Sequence, residues 1–319
     1  MTAKYREVIM AKLLPRARSN MEPSAAYVRL ERDAEVPSEW RGLDQFSITR
    51  LEGTCGLGSD IRKWSCVPAL LVSVPIRPLV SQTYRLWFDE KLVPTRSVRP
   101  FQSNVLDFAA GPACWAGDAF DFTHFHLPQS SINELAIDLG YDRPGGFRPS
   151  VLGNDAVLAQ ITKDHVPHLD DSSAPSTLAL DELQLLMGGH LLRQYSGVQQ
   201  PRAAKVGVLA TWQRRRAQEV LSESRGGNIR LGELARECEL PMGYFARAFK
   251  STFGTTCQQW LIRQRIAHSK KLLSQPLASV TEVAMEAGFR DSRRFVRAFR
   301  RVVGVAPGSW HRQHGRALH

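Results

Sequence analysis

Five arginines fall within nine residues near the C-terminus: Arg293, Arg294, Arg297, Arg300 and Arg301. A guanidinium keeps its charge at any ordinary pH and presents a flat fork of donors. Such a fork pairs with phosphate oxygens, or edge-on with O6 and N7 of guanine. Other chemistry is sparse. His124 and His126 form an HxH pair that would lie on one face of a strand. A metal there would need a further ligand. His165 and His168 follow further along the chain, and no third ligand follows from the spacing. The chain has no P-loop, dinucleotide fingerprint, nucleophile elbow or HExxH motif. Its serines, histidines and aspartates show no local catalytic arrangement, so neither an enzyme, a metal site nor a cofactor is expected.

The arginines belong to a wider charge asymmetry. From residue 200 onward there are 22 Lys and Arg against 8 Asp and Glu, a net of +14, whereas residues 1–199 carry −3. Positive charge confined to one region implies a polyanionic partner for that region. The rest of the composition is ordinary: 43% hydrophobic and 23% charged over 319 residues, long enough for two domains. No apolar run reaches the roughly 20 residues that span a bilayer. The N-terminus has scattered charges and no small-residue cleavage site, so no signal peptide is read and a cytoplasmic location is expected. The five cysteines (55, 66, 114, 238 and 257) show no CxxC and no zinc spacing, and read as small buried side chains.

The elements that must position the arginines are written twice. Glu233, Ala235 and Glu237 recur as Glu282, Ala284 and Glu286, 49 residues later; Phe245, Arg247, Ala248, Phe249 and Gly254 recur as Phe295, Arg297, Ala298, Phe299 and Gly304, 50 residues later. Trp260 recurs as Trp310. The one-residue change in offset falls between two helices, where a turn absorbs it. Each copy reads as a short helix, a turn and a second helix. Phe245, Phe249 and Phe253 in the first copy, and Phe295, Phe299 and Val302 in the second, form a buried stripe. The opposite face holds Met242, Gly243, Ala246, Arg247 and Lys250 in the first copy, and Ser292, Arg293, Arg294, Arg297, Arg300 and Arg301 in the second. One packed face and one free basic face is what a helix entering a major groove requires. Residues 256–275 read as one joining helix about 25–30 Å long, able to hold recognition helices 241–253 and 291–303 in successive major grooves about 34 Å apart.

The first half reads differently. Apolar or alternating runs at 46–51, 69–76, 84–88 and 120–124, broken by Gly, Pro and Ser, predict strands of a sandwich or barrel over 44–127. Ser131 and Glu134 form a capping box opening a helix to Leu139. Further helices are expected over 155–165 and 178–194, the latter with Leu183, Leu186, Met187 and Leu191 on one face. The polar stretch 195–205 reads as a linker.

At ELARECELPMGYFARAFKSTFG and VTEVAMEAGFRDSRRFVRAFRRVVGVAPGSW the chain resembles the AraC/XylS family of bacterial transcription regulators, over about 206–313. The resemblance implies an α+β multidomain protein. Its N-terminal region, 1–194, would be a cupin-like antiparallel β-barrel with following helices, for effector sensing and dimerisation. Its C-terminal region, 206–319, would be an all-α domain with two helix-turn-helix units joined by a long helix. The implied function is a sequence-specific DNA-binding regulator, an effector-responsive activator. By position the resemblance puts Gly243, Ala246 and Arg247 at base-facing sites of the first recognition helix, and Ser292, Arg293, Val296 and Arg297 at those of the second. Met242, Lys250 and Arg294 complete the expected DNA-contacting set. Implied partners are double-stranded DNA, RNA polymerase, a small effector and a second copy of the chain; the implied setting is the bacterial cytoplasm, at the nucleoid. The first turn departs from the family, with Glu239 where glycine is usual. A non-glycine residue at positive φ costs on the order of 1 kcal/mol, so a distorted turn is expected there. Two other readings stand beside this one. A nucleic-acid-processing enzyme would need an acidic cluster for Mg²⁺, and the acidic residues of 1–199 are scattered. A ligand-independent regulator would use the barrel only to dimerise.

Overall fold

The computed structural model describes residues 27–30, 46–53, 62–63, 68–80, 83–88, 91–95, 97–165, 176–198, 207–224, 229–275 and 278–314. It divides into two compact units: one comprises Met1–Ile137, Asp142–Asp170 and Met187–Gln199, the other Asp138–Tyr141, Asp171–Leu186 and Gln200–His319. Residues 199–206, most of the expected linker, lie outside the described residues, as do Cys55, Cys66 and His168.

The first unit is built on strands β1 (Tyr27–Leu30), β2 (Ser47–Gly53), β3 (Arg62–Lys63), β4 (Ala69–Pro75), β5 (Tyr84–Phe88), β6 (Lys91–Val93), β7 (Ser103–Asp107), β8 (Ala113–Ala116), β9 (Phe120–Pro128) and β10 (Ser150–Gly153). They form two sheets, ordered β1-β2-β9-β4-β7-β10 and β3-β8-β5-β6. Pairing is antiparallel apart from β1 with β2. Among the described residues the sheets are open at their edges rather than closed into one barrel. Leu71, Leu106, Phe120 and Phe122 of the larger sheet share a core with Tyr84, Leu86 and Ala116 of the smaller. Strand β9 lies between β2 and β4 and is buried along its whole length. Phe120, Phe122, His124 and His126 on one face and Asp121, Thr123, Phe125 and Leu127 on the other are thus all buried, as in a strand covered on both sides. Buried in that strand beside its neighbour, Asp121 accepts both Arg50 Nε (3.0 Å) and Arg50 Nη2 (2.8 Å).

Helix α1 spans Gln129–Leu139. It starts directly after Pro128, two residues before the expected capping box, so Ser131 lies inside the helix. Proline ends the strand, since it lacks a ladder donor, and the helix begins at once. Helix α2 (Ala156–His165) is capped by Asp155, whose Oδ1 accepts from Val157 N at 2.9 Å and Leu158 N at 3.0 Å. Its Oδ2 accepts from Tyr195 Oη at 2.8 Å and meets His190 Nε2 at 2.6 Å, which fixes the end of helix α3 (Thr177–Tyr195). On α3 the buried apolar side chains are Leu178, Leu180, Leu183, Met187, Leu191 and Leu192; Leu186, expected on that face, is 50% exposed. Positions 183, 187 and 191 repeat every four residues, and 186 falls one step round the helix from them.

All described elements of the remainder are helical: α4 (Thr211–Glu223), α5 (Leu231–Glu237), α6 (Met242–Phe253), α7 (Cys257–Leu273), α8 (Val280–Glu286), α9 (Ser292–Val303) and α10 (Pro307–His314). The repeat appears at residue precision. Helix α8 starts and ends 49 residues after α5, and α9 starts and ends 50 after α6. Helix α7, at 17 residues, is about 25 Å long.

Both turns carry the same Schellman hydrogen bonds. Leu240 N donates to Ala235 O at 3.0 Å and Glu239 N to Arg236 O at 2.9 Å; Phe289 N donates to Ala284 O at 2.9 Å and Gly288 N to Met285 O at 2.9 Å. Glu239 sits at φ +54° and Gly288 at +85°. The expected distortion is thus absent: Glu239 adopts the left-handed conformation with the bonds intact. Relief of its Cβ clash is worth about 1–2 kcal/mol, of which glycine's unfolded-state entropy removes about 0.5–1. Glu239→Gly is therefore expected to raise stability by about 0.5–1 kcal/mol, read as a higher urea midpoint. A lowered midpoint would show that the glutamate is not strained there.

Candidate nucleic-acid interface

The two helix pairs are held by separate apolar clusters. In the first, Phe245 and Phe249 of α6 are fully buried with Ala217, Leu221, Leu234, Ala235, Cys257 and Leu261. In the second, Phe295 and Phe299 of α9 are fully buried with Ile266, Leu273, Val283, Ala284 and Phe289. The aromatic stripe is thus core, with one change. Val302 is 44% exposed, whereas Val303 packs against the second cluster. Val303 lies four residues beyond Phe299 and is the true counterpart of Phe253.

Those cores decide what each second helix leaves open. On α6, Gly243 is buried, and Met242 and Ala246 are half-buried against the first cluster. Arg247 is half-buried and Lys250 exposed. On α9, Arg293, Arg297, Arg300 and Arg301 are exposed, and Ser292 and Val296 half-buried. Arg294 is turned toward the start of its own helix: its Nε lies 3.7 Å from Asp291 Oδ2, and its backbone N donates to Asp291 Oδ1 at 2.8 Å. Burial lowers the Arg294 pKa, and the Asp291 charge opposes that shift. The structure thus brings Arg293 and Arg297 together on an open surface, while Arg294 is engaged by the cap.

The two helix starts differ for a reason visible in the one-residue insertion. Helix α6 begins at Pro241, which supplies no side-chain cap. The longer second turn adds Arg290 and brings Asp291 to the cap of α9. An N-cap aspartate stabilises a helix start by about 0.5–2 kcal/mol. The second pair therefore has the firmer start and more open charge.

Sequence reasoning missed a further feature of this unit. The first half of α3 packs with the helices. Leu178 is buried in the first cluster, Thr177 Oγ1 donates to Ile229 O at 3.1 Å, Asp181 Oδ2 accepts from Leu231 N at 2.9 Å and Glu182 Oε1 accepts from Gln258 N at 2.9 Å. Leu231 and Gln258 lie in the first turns of α5 and α7, where backbone donors have no partner within the helix. No local signal announces caps that come from 50 and 76 residues away.

In the sheet unit, His124 and His126 are buried, His124 stacked on Phe122 (5.9 Å between centroids) and His126 beside Phe108 (5.4 Å). Burial lowers both pKa values to about 4. Among the described residues no group of three or more His, Cys, Asp or Glu is placed to hold a metal, and no helix is long and apolar enough to cross a membrane.

A helix-turn-helix domain family matches residues 234–313, from within α5 into α10. The thermoregulatory protein LcrF of Yersinia pestis is 24% identical over 189 residues, which is 59% of this chain and 67% of LcrF. The HTH-type transcriptional activator RhaS of Pectobacterium carotovorum is 28% identical over 189 residues, 57% of this chain and 64% of RhaS. Among solved structures, the DNA-binding domain of AdpA in complex with a target DNA is 28% identical, with 33% of this chain and 98% of that one covered at a TM-score of 0.30.

Proposed function

We propose that the chain is a transcription regulator of the AraC/XylS family, which recognises specific DNA through two helix-turn-helix units, α5–α6 and α8–α9, as an effector-responsive activator; the helix-turn-helix match and the similarity to LcrF and RhaS support this. The family is one of regulators, not enzymes, and the nucleic-acid-processing alternative falls with that. One observation carries the reading: Arg293 and Arg297 stand exposed on α9 while Phe295 and Phe299 fix its other face in the core. An arginine near the front of such a helix reads a guanine edge, and cations further along meet phosphates. In the first unit Arg247 and Lys250 supply the contacts, since Gly243 and Ala246 have almost no side chain to read bases with. The half-site under the second unit is therefore the more strictly specified.

In this reading residues 206–319, joined by the first half of α3, form the DNA-binding domain, 195–205 a linker, and the rest of 1–194 the effector-sensing and dimerising domain, with a cupin-like fold for the sheets and a dimer through α2 and α3. Activation through RNA polymerase accords with the family pattern and with the activator name that RhaS carries. A cytoplasmic, nucleoid-associated location follows from the DNA partner.

The test uses the full chain and a randomised duplex. Loss of a bidentate arginine–guanine contact costs roughly 1–3 kcal/mol, so Arg293→Ala is expected to relax base choice at one position. Lys250→Ala is expected to weaken all sequences alike and to lower the salt slope by about 0.9, one phosphate's worth. Identical selection profiles for the two variants, or wild-type binding indifferent to salt, would overturn the reading.

A further inference from the structure

We propose that Asp181 and Glu182, which precede the linker in sequence, are positioning residues for DNA recognition by the first helix pair. The inference rests on the DNA-binding reading above and extends it to residues outside the helix-turn-helix match. Both carboxylates belong to the same compact unit as α5, α6 and α7. Each accepts from the backbone of a helix start at 2.9 Å: Leu231 N of α5 and Gln258 N of α7. These two helices flank α6 in sequence, and all three share the cluster that buries Phe245 and Phe249. Leu178 enters the same cluster three residues before Asp181, and Leu185 packs against it three residues after Glu182. The first half of α3 is therefore a strap with apolar anchors at both ends and two carboxylates between them. The second pair, α8–α9, has its own core and its own caps at Ser279 and Asp291.

Physically, the strap sets where α5 and α7 begin. A carboxylate at a helix start meets both the unpaired amides and the positive end of the helix dipole. Loss of such an acceptor leaves a half-buried amide without its partner and frees the helix to shift. Helix α6 has no side-chain cap, so its placement depends on its neighbours. Burial pushes both carboxyls up, and the amides they accept from pull them back. A neutral amide side chain keeps the accepting oxygen without a buried charge, so Asn and Gln are the natural conservative replacements.

The experiment compares full-length Asp181→Ala/Glu182→Ala with Asp181→Asn/Glu182→Gln. The DNA is the duplex selected by the wild-type chain, whole or with either half-site scrambled. Loss of a buried acceptor corresponds to about a tenfold effect or more. Expected for the alanine pair is a loss of about tenfold on the whole site, unchanged binding where only the second half-site remains, and faster hydrogen exchange at Leu231 and Gln258. Rescue by the Asn/Gln pair is expected on both readouts. Single Asp181→Ala, read the same way, decides the matter should the alanine pair unfold. Wild-type affinity in a folded alanine variant, equal losses at both half-sites, or failure of the Asn/Gln pair to rescue would each overturn the proposal. Failure of the wild-type chain to select any sequence would instead remove the DNA-binding reading, while exchange at the two amides would still report on the strap.

Discussion

Lowering the pH from 7 to 4 is expected to remove about 3 kcal/mol of stability per ring through His124 and His126 alone. Both side chains are buried, at 5% and 2% exposure, and burial holds their pKa values near 4 against 6.5 for a solvated histidine. In the unfolded chain each binds a proton as the pH falls through 6.5; in the folded sheet neither does until about 4. Each unit of that gap is worth about 1.4 kcal/mol. The contribution is thus fully present above pH 6.5, declines between 6.5 and 4, and is flat below. Asp181 and Glu182 act with the opposite sign: burial raises them, so their contribution is present at low pH and lost as the pH rises through the raised values. The measurement is the urea midpoint against pH, for the wild type and for His124→Gln/His126→Gln. A slope in the double variant as steep as in the wild type would show that these rings are not the groups titrating.

The helical half was the more legible, because helix spacing is rigid and the chain writes it twice. Offsets of 49 and 50 mark two pairs of helices, down to the extra residue between α8 and α9. What the repeat did not reveal was side-chain direction at single positions. Val302 and Val303 are equally apolar, and only the four-residue step from Phe299 selects the second. Arg294 looks as available as Arg293 in sequence, yet Asp291, three residues earlier, engages it.

The sheet half was legible as strands but not as an arrangement. Proline and glycine end the runs at Pro75 and Gly53 and mark strands well, whereas the order β1-β2-β9-β4-β7-β10 depends on pairings between residues as far apart as Ser47 and His126. In β9 a central strand covered on both faces buries every position, so the polar Thr123 and both histidines are inside. The strap escaped for a related reason. No local spacing marks Asp181 and Glu182, since the amides they meet lie 50 and 76 residues along the chain.

Phe299→Ala is expected to cost about 3–5 kcal/mol, the range for emptying a large aromatic site in a core, and to loosen the second helix pair while leaving the first intact. Phe299 is fully buried and contacts Phe295 (5.5 Å between centroids) and Trp310 (6.2 Å). Its cluster draws Ile266 and Leu273 from the later part of α7, whereas the first cluster draws Cys257 and Leu261 from the earlier part. The two cores share that helix but no buried residue. Phe249→Ala should cost a similar amount and act on the first pair, where Phe249 meets Phe245 at 5.7 Å and Phe253 at 4.4 Å. Sites with no shared partners add to within about 0.5 kcal/mol, so the double variant should lose the sum. Units with separate cores can also open separately. Hydrogen exchange resolves the two cases: Phe299→Ala should speed exchange in α8 and α9 far more than in α5 and α6, and Phe249→Ala the reverse. Equal acceleration across all four helices in either variant would show that α7 joins the two pairs into one cooperative unit.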